Sequence, residues 1–381
     1  MKRPLEYTLL SILWLLCLDA GILKSVALEA SEGPSEQNQT LVELAETLSQ
    51  QSHRPSASQL LHLTNETEID WKGRVLAIGD IHGDLKSLIT SLFLSGVINN
   101  SLDWIAKDTL LIQLGDVVDR GSHALQIYKL FDKLRLQAPL LGSRFVGLLG
   151  NHEIMNLCGQ LHYVTEEDIQ TYGGRANRTF EWSKEGFVGK YLRTMKLVVR
   201  VNDSLFVHAG LLPKYARLGL DKLDKQSSDL LAGDFCNMYS SLFFLEDGPL
   251  WTRDISLGDE DKACRLVNET LQILGLSRMV VGHTIQHDNR INIKCNGQLV
   301  LADTGFSEAI YGKPCMLEIL YSKDDNGSSI PDFRSFHPYS MNELQIKSND
   351  SNPNIKYIQV TNVLLNSRNA TWDKTSANDE L

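Results

Sequence analysis

Short apolar runs recur through the middle of the chain, and each stops at a glycine followed by polar residues. Residues 74–78 run into Gly79-Asp80-Ile81-His82-Gly83-Asp84, and residues 109–114 into Gly115-Asp116-Val117-Val118-Asp119-Arg120-Gly121. Residues 144–148 run into Leu149-Gly150-Asn151-His152-Glu153. Such runs, bounded by turn residues, read as buried strands. Between them the spacing turns helical. Residues 87–93 predict a helix ended by Gly96. Residues 124–136 predict another, with Leu125, Tyr128, Leu130, Phe131 and Leu134 near one face and Pro139 as its stop. A third helical stretch, 166–195, is interrupted at Gly173-Gly174.

Beyond residue 195 the pattern alternates. Residues 196–201 and 204–208 read as strands joined by a tight Asn202-Asp203 turn, a hairpin signal. Further strands are expected at 279–281, 291–294, 298–302 and 316–320. Parallel βαβ units followed by β-rich sequence predict an α/β fold of two packed mixed β-sheets flanked by helices.

Composition divides the chain into four parts. Residues 1–27 read as a signal peptide, with Lys2 and Arg3 ahead of an apolar run at 9–18 and small residues at Ala20 and Ser25-Val26-Ala27. That run falls short of the ~20 residues that span a bilayer. Residues 28–70 read as a polar linker with a short helix at 41–48, residues 71–321 as the folded domain, and 322–381 as a peripheral tail with one strand-like run at 355–360. The chain ends Asn378-Asp379-Glu380-Leu381, similar to an ER-retrieval signal. Sequons at Asn38, Asn65, Asn99, Asn177, Asn202, Asn268, Asn326, Asn349 and Asn369 exceed chance and suit a glycosylated luminal protein. The expected compartment is the ER lumen, with secretion as the alternative.

The formal charge of -10 argues against nucleic acid as a partner, and no helix is basic and amphipathic enough for a membrane surface. Cys17 leaves with the signal peptide; the remaining cysteines, Cys158, Cys236, Cys264, Cys295 and Cys315, are odd in number, so one or two bridges plus a spare thiol are expected. Cys158, close after the third loop, is expected to be a packed thiol.

The polar residues at the strand ends are of metal-ligand type. Asp80 and His82 lie two apart and can turn toward one ion, Asp116 can bridge two, and Asn151 offers a neutral carbonyl oxygen. His208 and His283 end later apolar runs. A mixed His/Asp/Asn set suits manganese, iron or zinc better than calcium, which prefers all-oxygen ligands.

These three loops resemble, in order, the signature motifs of the phosphoprotein phosphatase (PPP) family, which has the calcineurin-like metallophosphoesterase fold; the resemblance spans residues 74–320. Asp84 stands where the eukaryotic Ser/Thr enzymes have Gln, His208-Ala209-Gly210 replaces His-Gly-Gly, and residues 301–307 do not match their Ser-Ala-Pro-Asn-Tyr loop. With Gly248-Pro249-Leu250-Trp251-Thr252-Arg253, these departures resemble the Shewanella-like phosphatases. The resemblance implies a phosphoprotein substrate and two divalent ions, with manganese expected to support activity. Asp80, His82 and Asp116 would hold the first ion, and Asp116, Asn151, His208 and His283 the second. It implies His152 as general acid oriented by Asp119, and Arg120, Arg253 and Asn151 on the phosphate. Glu153 is expected to support its loop, and Asp303 to be either a neighbour of the ligands or merely structural. A nucleotide or dinucleoside polyphosphate hydrolase on the same fold, and a luminal phosphate-binding protein without catalysis, are the rival readings.

Overall fold

The computed structural model describes residues 66–239, 241–323 and 329–336. Its strands form two sheets. The first has the order β11-β10-β2-β3-β4, built from β2 (Arg74–Ile78), β3 (Thr109–Gln113), β4 (Arg144–Gly147), β10 (Met316–Lys323) and β11 (Ser329–Phe336). Here β2, β3 and β4 run parallel, with helices α1 (Leu85–Leu94) and α2 (Ala124–Gln137) in the crossovers, while β10 is antiparallel to β2 and β11. The second sheet has the order β1-β5-β6-β7-β9-β8. Its members are β1 (Glu68–Ile69), β5 (Val198–Val201), β6 (Ser204–Val207), β7 (Arg278–Val281), β8 (Asn292–Lys294) and β9 (Leu299–Leu301).

Alternation along each strand sorts side chains between two apolar clusters, because successive residues of a strand point to opposite faces. Val75, Ala77, Leu110, Ile112 and Val146 of the first sheet meet Val199, Val201, Phe206, Val280 and Val300 of the second, all buried between the sheets. Their neighbours Leu76, Ile78, Leu111 and Phe145 join Leu88, Leu92, Tyr128 and Phe131 of α1 and α2 in the outer cluster. On the other side, Val198, Leu205, Met279 and Val281 belong with residues of two later helices, Leu223, Val267 and Leu271. Strands buried on both faces explain why β2, β3 and β6 read as continuous apolar runs.

The rest of the chain refines the expected layout. The helical stretch is three helices, α3 (Asn151–Leu157) being followed by α4 (Glu166–Thr171), α5 (Arg175–Glu181) and α6 (Phe187–Leu192). The break falls at Gly173-Gly174, as the glycines suggest, and again at residues 182–186, where the sequence shows only Gly186. After α7 (Pro213–Ala216) come α8 (Leu220–Ala232) and α9 (Glu260–Leu274), two helices set among the strands expected beyond residue 195. The signals for α9 were present: Asp259 accepts from the Lys262 N–H at its start, and Gly275 is left-handed at its end. Glu68 and Ile69 pair with β5, and β10 continues past residue 322 to pair with β11. The signal segment, the 41–48 helix, the 355–360 run and the terminal Asn-Asp-Glu-Leu lie outside the described residues.

Disulfides join Cys158 to Cys236 and Cys264 to Cys295, and Cys315 is a buried thiol. Cys158 is therefore not the packed thiol expected from its neighbourhood. Its partner is 78 residues away, a pairing that only the folded chain reveals.

Candidate active site

The polar loops leave the ends of β2, β3, β4, β6 and β7, so both sheets deliver residues to one place. The backbone there is unusual. His82, Asp116, Asp119, Arg120 and His283 have φ of 44°, 56°, 73°, 67° and 63°. Non-glycine residues in this region cost of order 1–3 kcal/mol each and persist only where the surroundings hold them. The holding contacts are explicit. Ile81 and His82 N–H both donate to the Asp116 carbonyl at 3.0 Å, Gly83 donates to Val117 at 2.7 Å, and Gly121 donates back to His82 at 3.0 Å. Buried Glu153 fastens the third loop to the second: one oxygen accepts from Asp116 and Gly150 N–H, the other from Val117 N–H and the Tyr128 hydroxyl, at 2.8–2.9 Å. Gly150 must be glycine, since a Cβ there would stand 2.1 Å from Asp116 Oδ1.

Three imidazoles share one design. His82 Nδ1 donates to the Val118 carbonyl at 2.9 Å, His208 Nδ1 to Leu114 at 2.8 Å, and His283 Nε2 to Trp251 at 3.2 Å. Each ring is thereby fixed by one nitrogen and presents the other to the carboxylates, the usual outer support of a metal-binding histidine. His82 Nε2 lies 4.0 Å from Asp80 Oδ2 and 3.9 Å from Asp116 Oδ2. His208 Nε2 lies 3.5 Å from Asp116 Oδ2 and 2.9 Å from Asn151 Oδ1. Ligand atoms of Asp116, His208 and His283 all fall within 4.8 Å of one another, and Asp80 Oδ1 accepts from His283 N–H.

Electrostatics agrees with that geometry. Burial pulls His82 down to about 4 and His283 to about 2, so both rings keep a lone pair at neutral pH. Burial, then the charge of Asp303, pushes Asp80 well above the usual carboxylate range. Burial likewise raises Asp303, to about 6; it sits beside Asp80, which places it among the ligands' neighbours. Burial alone would lower His208, but Asp116 and then Asp80 outweigh it and push it up to about 10. Crowded buried carboxylates face two neutral imidazoles and a third, His208, that draws a proton in answer to their charge; a donor set so short of positive charge fits two divalent cations.

His152 is the exception among the imidazoles. Its Nε2 is 3.9 Å from Asp116 Oδ2, and with His82 and Asp116 it forms a second close group of ligand-type atoms. Its Nδ1, however, is bound to the Asp119 carboxylate at 2.6 Å rather than to a carbonyl. Burial would lower its pKa, yet Asp116 and Asp119 together raise it.

Both candidate phosphate arginines are exposed, and the positive charge of Arg120 acts on His82 as that of Arg253 does on His283. They therefore border the cluster from the open side. Arg120 lies 4.7 Å over the ring of Tyr163, which packs 5.0 Å from His152 and accepts the Arg120 N–H through its carbonyl at 2.8 Å. Tyr163 was not among the expected site residues; a lone aromatic in a polar loop carries no mark of its destination.

Comparison with known proteins gives this geometry a family. The calcineurin-like phosphoesterase model matches residues 73–287. An uncharacterised protein of Schizosaccharomyces pombe is 33% identical over 271 residues, covering 68% of this chain and 81% of its own length. Shewanella-like protein phosphatase 1 of Plasmodium berghei is 33% identical over 258 residues, covering 65% of this chain and 71% of its own. The solved cold-active protein-tyrosine phosphatase of a psychrophilic Shewanella species shares the fold, with a TM-score of 0.57 at 23% identity over 70% of this chain and 82% of that one. The chain therefore belongs to the calcineurin-like phosphoesterase family, as a metallophosphoesterase with Shewanella-like protein phosphatases among its relatives.

Proposed function

We propose that this protein is a phosphoprotein phosphatase that hydrolyses Ser/Thr or Tyr phosphomonoesters in the oxidising lumen of the secretory pathway, with the ER as its compartment. The observation that carries the catalytic reading is the buried Asp119–His152 pair at 2.6 Å, with His152 Nε2 3.9 Å from Asp116 Oδ2 and its ring 5.0 Å from that of Tyr163, over which Arg120 lies.

Asp80, His82 and Asp116 would hold one divalent cation, and Asp116, Asn151, His208 and His283 the other, with manganese as the ion expected to support turnover. Bound cations supply Lewis acidity and a water activated for in-line attack on phosphorus. The chain does the rest. Arg120 and Arg253 offer planar guanidinium forks to the phosphate oxygens, which lysine cannot match, and Asn151 adds a short polar contact. Tyr163 keeps Arg120 in place from below. Asp119 accepts the Nδ1 proton of His152, so the second proton of the ring sits on Nε2 and is aimed into the site. Raised above its ordinary value, His152 holds that proton until the ester oxygen departs and needs it.

The compartment is supported by the two disulfides, which persist in oxidising environments. Among the described sequons, Asn177 is exposed on α5, whereas Asn99, Asn202 and Asn268 are part-buried and use their side chains in hydrogen bonds. No helix among the described residues is long and apolar enough to cross a membrane.

The test is a side-by-side assay of manganese-loaded protein on a phosphotyrosine peptide, a phosphoserine peptide and diadenosine tetraphosphate. One of the peptides should be the preferred substrate; a clear win for the dinucleotide overturns the protein-phosphatase reading. His152→Ala should lose roughly 10²–10⁴-fold in turnover, the usual range for a positioned acid.

A further inference from the structure

We infer that Asn156 and Arg178 are positioning residues that act on His152 through Asp119, an inference that rests on the reading of His152 as the proton donor. The Asp119 carboxylate is engaged at both oxygens. Oδ2 accepts from His152 Nδ1 at 2.6 Å, and Oδ1 accepts from Asn156 Nδ2 at 2.9 Å. Asn156 lies one helical turn after His152 in α3, and the same Nδ2 also donates to the His152 carbonyl at 3.0 Å. Its other end, Oδ1, accepts from Arg178 Nη2 at 2.8 Å. Arg178 in turn donates through Nε to Asp168 Oδ2 at 2.9 Å.

The direction of this chain of bonds is fixed at its far end. A guanidinium can only donate, whereas an amide can present either its oxygen or its nitrogen. Arg178 therefore forces Asn156 to turn Oδ1 toward itself and Nδ2 toward Asp119. A flipped amide would set donors against the guanidinium and a carbonyl against the carboxylate. Arg178 itself has little freedom. Its guanidinium sits 4.9 Å from the Trp182 ring centre and 5.4 Å from that of Tyr172, and the two rings are joined by a Trp182 Nε1 to Tyr172 hydroxyl bond of 3.1 Å.

Stability alone does not account for such an arrangement. Arg178, Asp168, Asn156 and Asp119 are all at least 97% buried, and buried ion pairs generally stabilise no better than well-packed apolar residues of similar size. What the row of bonds adds is orientation. Three helices, α3, α4 and α5, converge so that one carboxylate, itself on left-handed backbone and held at one oxygen, points the other at one imidazole nitrogen. Misplacing a reacting group by about 1 Å can cost on the order of 100-fold in rate, so this orientation has a catalytic value.

The experiment separates positioning of the acid from general support of the fold. Asn156→Asp is isosteric, keeps an acceptor for Arg178 and replaces the donor facing Asp119 by a carboxylate; Arg178→Lys keeps the charge and loses the fork. Each would be purified as the full manganese-loaded chain beside wild type and His152→Ala. Turnover would be compared on p-nitrophenyl phosphate, whose leaving group needs little protonation, and phenyl phosphate, whose leaving group needs it. Both variants should lose roughly 10–100-fold in kcat on phenyl phosphate, the usual cost of removing a partner that orients a functional histidine. On p-nitrophenyl phosphate they should lose several-fold less, with KM and bound manganese unchanged. Equal losses on the two substrates, or loss of manganese, would mean a structural role and overturn the inference. If His152→Ala is biased toward the good leaving group while both variants are not, the inference falls alone. If His152→Ala shows no bias, the acid reading falls and takes the inference with it.

Discussion

The two sides of the site are held by different kinds of contact. On the strand-end side, His82, His208 and His283 are fixed by backbone carbonyls, and the loops carrying Asp80 and Asp116 are laced by backbone hydrogen bonds. On the helical side, His152 is fixed by a side chain, which is fixed by another, back to Arg178. Carbonyls accept at any pH, so they suit groups whose task is to present a lone pair steadily. Carboxylate, amide and guanidinium add charge and direction, which suits a group whose task is to hold and release a proton.

The comparison can be broken from either side. The largest effect is expected at the shared corner. Asp116→Asn removes a charge on which both proposed cations depend, and since metal ions supply several kcal/mol of transition-state stabilisation, turnover should fall by about 1,000-fold or more. Elemental analysis should show metal lost in parallel; an active, metal-replete Asp116→Asn enzyme would refute the strand-end side as a metal centre.

Next is Glu153→Gln, which sets an amide NH2 against backbone donors in the fastening between the second and third loops. Losing one partner from a buried charged network should cost about 3–5 kcal/mol in a denaturation curve. A cost under 1 kcal/mol would show that the loops do not need this fastening. The Cys158–Cys236 bond anchors the end of α3, and serine at both positions should destabilise by about 2–4 kcal/mol. If that loss comes with a stronger preference for the good leaving group, the helical side is less self-sufficient than its bonds suggest.

The smallest and sharpest test concerns pH. His152 must be protonated to act, and its pKa is raised from 6.5: burial lowers it, while Asp116 and Asp119 more than compensate. Turnover on a poor leaving group should therefore hold through neutral pH and decline as pH rises through that elevated pKa. Asp119→Asn removes one raising influence, so the alkaline limb should move to lower pH, with a loss of roughly 10–100-fold at neutral pH. An alkaline limb that stays in place would separate Asp119 from the proton on His152.

The same division decides what was legible in the sequence. Asp80, His82, Asp116, Asn151, His208 and His283 follow apolar runs and sit beside glycines, and a rigid strand end converts that local pattern into a place in space. The structure brings all six together. Asn156, Arg178 and Tyr163 obey no such rule. Asn156 reaches Asp119 across 37 residues and Arg178 reaches Asn156 across 22, distances that only tertiary packing bridges. Helix α9 carries Ala263, Val267 and Leu271 at four-residue spacing between the Asp259 cap and Gly275, so its period is legible in the sequence and is outweighed only by the strand signals around it. The pairing of the cysteines was hidden for the same reason as Arg178.

The left-handed backbone at His82, Asp116, Asp119, Arg120 and His283 has a consequence for how this site tolerates change. Side chains branched at Cβ are strongly disfavoured there whatever their chemistry, and alanine confounds two losses, the functional group and the conformational preference. Asparagine is the residue after glycine that accepts such backbone most readily. Asparagine substitutions at these five positions would thus measure chemistry alone, and alanine substitutions the chemistry plus the strain. The difference between them, position by position, would report how much of the spelling of these loops is owed to shape rather than to reaction.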